Sequence, residues 1–218
     1  MNRLLKEPAN GLMHFFWALA ALAGAIVLVV LSRGDLPKQL SLAAYGVGAV
    51  GLFLASAAYH LIRTTPEKTL WLRKLDHSAI FLLIAGTYTP VAFNVLTGGW
   101  RWGMLIGIWA IAILGIVLKT IFMPIPRGLS AGLYVAMGWL AVVAFGPMMQ
   151  SLPAGALAWI IAGGLIYTAG ALVYAFKWLN FAPGVFGFHE VWHVFVMAAS
   201  LCHFLGILLY VVPYPRLP

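Results

Sequence analysis

The sequence predicts an all-α integral membrane protein, a bundle of seven transmembrane helices, and three observations carry that prediction. Of its 218 residues, 63% are hydrophobic and only 8% charged, and the mean hydropathy is +0.99, so most of the chain belongs in lipid. Seven apolar runs are each long enough to cross a hydrocarbon layer, which takes about 20 helical residues. The pieces between them hold nearly all the charge and much of the proline.

The first run, Gly11 to Leu31, follows Arg3 and Lys6 and lacks a small-residue cleavage site after it, so it reads as a retained helix rather than a signal peptide. The turn "SRGDLPKQ" leads to the second, Leu40 to Ile62, and "RTTPEKTLWLRK" to the third, Leu75 to Leu96. "TGGWR" precedes the fourth run, Trp102 to Phe122, and "MPIPRG" the fifth, Leu129 to Met148. "QSLPAG" introduces the sixth, Ala154 to Trp178, and "NFAPGVFG" the seventh, His189 to Val212. Pro and Gly in these pieces stop helices and supply turn geometry. Seven helices and their turns occupy residues 1–218, which predicts one domain without a soluble module. Trp100, Trp102, Trp178 and Tyr214 fall near span ends, where aromatic rings favour the headgroup region. Gly103 and Gly107 are spaced for close helix contact.

The net charge of +8 comes from 13 basic and 5 acidic residues. The basic residues are scattered among loops rather than gathered on one face, so they read as topology signals and not as a nucleic-acid surface. With the N-terminus cytoplasmic, that side collects Arg3, Lys6, Arg63, Lys68, Arg73, Lys74, Lys119, Arg127 and Lys177, against Arg33, Lys38, Arg101 and Arg216 opposite. This predicts a multi-pass protein of the inner (plasma) membrane, N-terminus cytoplasmic and C-terminus outside. The single cysteine, Cys202, excludes an internal disulfide and reads as a packed thiol.

An ionisable side chain inside a span costs about 2.5 to 3.5 kcal/mol, so each needs a partner or a purpose. His14, His60, Asp76, His77, His189, Glu190, His193 and His203 lie within or at the edge of the runs. The second run ends on the cytoplasmic side and places His60 there. The third and seventh start on that side, with Asp76, His189 and His193 in their first turns. Three helices thus bring polar groups to one leaflet. Three imidazoles, His60, His189 and His193, are the ligand count of an open Zn2+ site, in which a fourth position takes water and lowers its pKa to about 7. Asp76 at the same depth can accept a hydrogen bond from that water. Ser56, four residues before His60 and on the same helical face, can orient a ligand or donate to a developing oxyanion. His77 and His203 read as hydrogen-bonding groups between helices, and His14 as packing or support behind the site.

The stretch "HEVWH" (His189 to His193) also has the spacing of soluble zinc proteases. The helix that continues from it, "VFVMAASLCHFLGILLYVV", is a membrane span, and Glu190 lies about 100° round the helix from His189. Glu190 is therefore expected to face a neighbouring helix or the headgroups, and the role of base passes to Asp76.

The segments "SAAYH" (Ser56 to His60), "LDHSAIFLLIAGTYTP" (Leu75 to Pro90) and "HEVWHVF" (His189 to Phe195), with "EPANGLMH" (Glu7 to His14), resemble the haemolysin III family. That family is the bacterial branch of the progestin and adiponectin receptor superfamily and is related to the alkaline ceramidases. The resemblance runs through essentially the full chain. It implies a zinc ion held by His60, His189 and His193 near the cytoplasmic ends of seven helices, with Asp76 on the zinc-bound water and Ser56 in support. It further implies hydrolysis of a lipid amide, while the family name implies a pore or cytolytic activity.

Four functions follow for comparison. One is an intramembrane zinc hydrolase acting on a lipid amide or ester, with Asp76 as base and membrane lipids entering sideways. A second is a receptor-like protein in which zinc fixes the bundle and a lipid biases it; no long extramembrane segment exists to bind a protein hormone. A third is a pore-former, against which stands the absence of a polar stripe to line a wide channel. The fourth is a haem carrier with two axial histidines, to which two histidines four apart beside an Asp are less suited than to zinc.

Overall fold

The computed structural model describes residues 5–182 and 185–215. Arg3 and Arg216 of the charge tally, and Pro183 and Gly184 of the "NFAPGVFG" turn, lie outside the described residues. Seven helical rods run in chain order: α1 (Pro8–Leu31), α2 (Leu36–Leu61), α3 (Pro66–Asn94), α4 (Gly98–Phe122), α5 (Arg127–Ser151), α6 (Ala154–Phe176) and α7 (Phe188–Val211). The described residues contain no strand, only an isolated bridge between Ala182 and Phe186.

Six of the rods are long and apolar enough to cross a membrane; α3 is the exception. Its apolar stretch is diluted by Asp76, His77, Thr87, Tyr88, Thr89, Pro90 and Asn94. Outward-facing Phe16, Ile26, Val47, Ile106, Leu114 and Val143 are exposed, the arrangement of side chains that meet lipid rather than water. The protein is a multi-pass protein of the plasma membrane, as the sequence predicts.

Three helix starts differ from the sequence reading by more than a helical turn, and one rod is broken, each for a local reason. α3 begins at Pro66 rather than Leu75, because Thr65 caps it by accepting from the Lys68 amide, Pro66 starts it and Glu67 sits in its first turn. The stretch "PEKTLWLRK" is therefore helix and not loop. α2 likewise starts at Leu36, where Asp35 accepts from the Lys38 amide at 3.1 Å. α4 starts at Gly98, whose φ of 52° is a left-handed conformation that suits glycine. α5 is not one continuous α-helix: Arg127–Gly138 passes into a 3-10 segment, Trp139–Ala144, before Phe145–Ser151. Pro147 lacks an N–H and crowds the carbonyl four residues earlier, at Val143, which tightens the turn before it.

That break frees backbone groups within an apolar span, where lipid offers them no hydrogen bond. The Tyr88 hydroxyl serves them, donating towards Gly138 O at 2.5 Å and Met137 O at 3.3 Å and accepting from the Ala141 N–H at 2.7 Å.

α2 is the most enclosed of the six apolar spans and packs on α1 and α3, while α1 closes onto α7 and α6 packs between α5 and α7. Glycines set the α2–α3 distance from both sides. A Cβ at Gly48 would meet Leu82 O at 2.7 Å, and one at Gly86 would meet Ala44 O at 3.0 Å, so the two backbones are in reciprocal contact. Gly103 and Gly107 do not play this part. Nothing lies within 4 Å of a Cβ built at either, and both line an open groove between α4 and α5. Trp100, Trp102 and Trp178 are exposed at helix ends. Tyr214 packs on the core instead, and its carbonyl accepts from Lys38 Nζ at 2.6 Å.

Candidate metal centre

One end of the bundle gathers the start of α1, the end of α2, the first third of α3 and the start of α7. The chain before α1 is laid against the end of α2: Glu7 N donates to His60 O at 2.8 Å, and Arg63 Nη2 to Leu5 O at 3.0 Å. Asn10, His14 and Ala18 form an i, i+4, i+8 stripe that is the buried face of α1 here.

His60, from the last turn of α2, meets His189 and His193, one turn apart on α7. One ring nitrogen from each lies within 4.8 Å of the others, a group that can hold a metal ion. The ring centroids stand 5.1 Å (His60 to His189), 5.0 Å (His60 to His193) and 4.8 Å (His189 to His193) apart. His60 and His193 are buried, and His189 is half-buried.

The donor chemistry fits a metal. His60 Nε2 and His193 Nδ1 are buried without a hydrogen-bond partner, and such orphaned groups cost about 1–3 kcal/mol each. A cation shared by three neutral imidazoles would satisfy them. The other nitrogen of His60 is already engaged: its Nδ1 lies 2.5 Å from Glu7 Oε2. A carboxylate on Nδ1 fixes the tautomer that presents Nε2 to the triad. The contact in turn holds the Glu7 carboxyl at about pKa 2, so Glu7 is ionised throughout the neutral range.

Asp76 and Ser56 sit side by side at the same end and, with His14, His189 and His193, line a cavity of about 490 Å³. Asp76 is half-exposed to that cavity although it lies deep between helices. Beyond this polar end the lining is almost wholly apolar. On α3, Asp76, Ile80, Leu83, Ile84, Thr87 and Val91 share the inner face, and from Asp76 to Ala92 that face is about 24 Å long at 1.5 Å per residue. α5 and α6 supply the opposite wall, with Val135, Val142, Ile160 and Ile161.

Glu190 turns away from the triad, as its angular position predicts. Its Oε2 accepts from the Gly187 N–H and its Oε1 from Asn10 Nδ2, both at 2.8 Å, so it caps its own helix and ties α7 to α1. His14 is fully buried, stacked on His193 at 3.8 Å and edge-on to Phe53. His77 meets the Tyr134 hydroxyl, 3.4 Å from its Nδ1, which links α3 to α5. His203 stacks on Tyr167 at 5.8 Å, a contact between α7 and α6. Cys202 is a half-buried free thiol.

Glu7 and Asn10 are the functional neighbours that the reading of the sequence left without roles. Their signal was present, since Glu7, Asn10 and His14 recur at i, i+3 and i+7 on one helical face.

Over residues 2–204 the chain matches the profile of the family described as haemolysin-III related. It is 35% identical over 216 residues to hemolysin-3 of Bacillus cereus, covering 98% of this chain and 95% of that one. It is 32% identical over 219 residues to a hemolysin-3 homolog of Bacillus subtilis (strain 168), covering the whole of both. A more distant similarity, 25% over 228 residues, joins it to an adiponectin receptor protein of Drosophila melanogaster, covering 94% of this chain and 50% of the receptor.

Proposed function

The chain belongs to the haemolysin III family, and on that premise we propose that it is an intramembrane zinc-dependent hydrolase that cleaves an amide or ester bond of a membrane lipid. The observation that carries this reading is that His189 and His193 of the triad line, with Asp76, one end of a long apolar cavity. A structural metal needs no such cavity; a lipid substrate needs both parts. The proposed topology has seven spans in a single domain, α3 among them, with the N-terminus and the triad on the cytoplasmic side and the C-terminus outside.

His60, His189 and His193 would hold the zinc ion, which supplies Lewis acidity and an acidified water when bound. The remaining work falls to the chain. The apolar walls take an acyl chain and exclude bulk water, leaving its carbonyl at the polar end. Asp76 accepts a proton from the attacking water as the oxygen–carbon bond forms, and returns it to the leaving nitrogen or oxygen as the old bond breaks. Ser56 donates to the Asp76 carboxylate and holds it in position. Glu7 holds the His60 ring.

The names of the bacterial relatives, hemolysin-3 and its homolog, favour a second reading, cytolysis through a pore. The apolar lining of the cavity argues against an aqueous channel through one chain.

Metal analysis of the detergent-purified protein tests the ligands: wild type is expected to carry about one zinc per chain, and His60→Ala and His193→Ala to lose it. Fatty acid release from a panel of lipid amides and esters tests the reaction, with Asp76→Ala expected to keep its zinc and lose release. No release from wild type, or equal release from both, would sink the hydrolase.

A further inference from the structure

Beside the triad, three cations from three helices converge with little negative charge to meet them. Lys119, in the last turn of α4, is only 1% exposed, and its Nζ donates to one acceptor among the described residues, Ser130 Oγ in the first turn of α5. It also lies over the Tyr134 ring at 5.3 Å. Arg127 opens α5 one turn before Ser130, on the same side of that helix. Its guanidinium rests over Tyr174 and Phe188 at 5.2 and 5.0 Å, and its Nη1 is buried without a partner. Arg73 precedes Asp76 by one turn of α3 and is within electrostatic reach of both Lys119 and Tyr174.

None of the three makes an ion pair with a carboxylate; the salt bridges among the described residues involve Lys6, His60 and Glu7. Asp76 is an acid within electrostatic reach of Arg73. The start of α5 adds to the positive field, since it has neither a side-chain cap nor an acidic residue in its first turn. Burying an ammonium against one neutral hydroxyl is costly unless an anion completes the site. Tyr134, Tyr174 and His77, which these cations touch or flank, line the polar end of the apolar cavity. The anion that fits is therefore one attached to an acyl chain.

We propose that Arg73, Lys119 and Arg127 form a binding site for the phosphate of an anionic lipid headgroup, with the acyl chain of the same lipid in the cavity. This goes beyond hydrolysis, since the site selects a lipid by charge whether or not a bond is then cleaved.

The test is binding by the delipidated full chain in neutral detergent, followed by native mass spectrometry or tryptophan fluorescence. The probes are dioleoylphosphatidylglycerol, dioleoylglycerol (the same chains without phosphate) and inorganic phosphate. Wild type is expected to bind the phosphatidylglycerol about tenfold more tightly than dioleoylglycerol, the size of one charge-assisted hydrogen bond. Lys119→Met and Arg127→Gln should remove that preference while leaving dioleoylglycerol binding unchanged, which also reports that they fold. Lys119→Arg should keep it. A preference that survives in both charge-removing variants, or is absent from wild type, overturns the site. Inorganic phosphate binding as tightly as the lipid overturns the lipid as its source. Because the readout is binding, a protein without hydrolase activity still passes or fails this test on its own terms.

Discussion

Glu7 sits outside the first span yet controls a side chain inside the site, because its Oε2 lies 2.5 Å from His60 Nδ1. Supporting carboxylates of this kind are worth about 10–100-fold in metal affinity. Glu7→Gln is expected to weaken zinc binding by that order, measured by competition with a chromophoric chelator. Unchanged affinity would show that His60 needs no orienting partner. Glu190 is the contrasting case. It stands between the two α7 histidines in sequence, yet both its oxygens are taken by Gly187 and Asn10. Adjacent residues point about 100° apart on a helix, so "HEVWH" turns its two histidines towards His60 and its glutamate towards α1.

Between helices, small residues and breaks decide the packing. Gly48 and Gly86 bring α2 and α3 into backbone contact, whereas Gly103 and Gly107 face open space. Gly48→Val is expected to lower the melting temperature in detergent, with a cost of about 1–3 kcal/mol or more from overpacking. Gly103→Val should leave it nearly unchanged; equal effects would contradict the assigned contacts. The backbone groups around the break in α5 share one hydroxyl, that of Tyr88. Tyr88→Phe strands the Gly138 carbonyl and the Ala141 amide at a cost of about 1–3 kcal/mol, which thermal unfolding would register. Hydropathy finds the rods but not these details, because a glycine facing a neighbour and a glycine facing a groove have the same local sequence signal.

Across the molecule, the triad joins the end of α2 to the start of α7, and α1 is fastened to both by Glu7 and Asn10. At the other end Lys38 donates to Val212 O and Tyr214 O, clasping α2 to the segment after α7. A ligand that binds only the folded bundle stabilises it in proportion to ln(1 + [L]/Kd). A membrane-impermeant chelator is therefore expected to lower the melting temperature of the wild type, with restoration by added zinc, and to leave His193→Ala unmoved. An identical response in both would separate the metal from the triad.

The helical membrane class, the rods to within a few residues at most ends and the gathering of His60, His189 and His193 at one end of the bundle were legible in the sequence. Lipid imposes its demands locally: a span must be apolar residue by residue and must satisfy its own backbone. The pairing of Asn10 with Glu190, 180 residues away, the Glu7 support of His60 and the convergence of Arg73, Lys119 and Arg127 were decided only by the tertiary structure. Such contacts depend on which faces of distant helices pack together, and hydropathy along the chain contains no term for that.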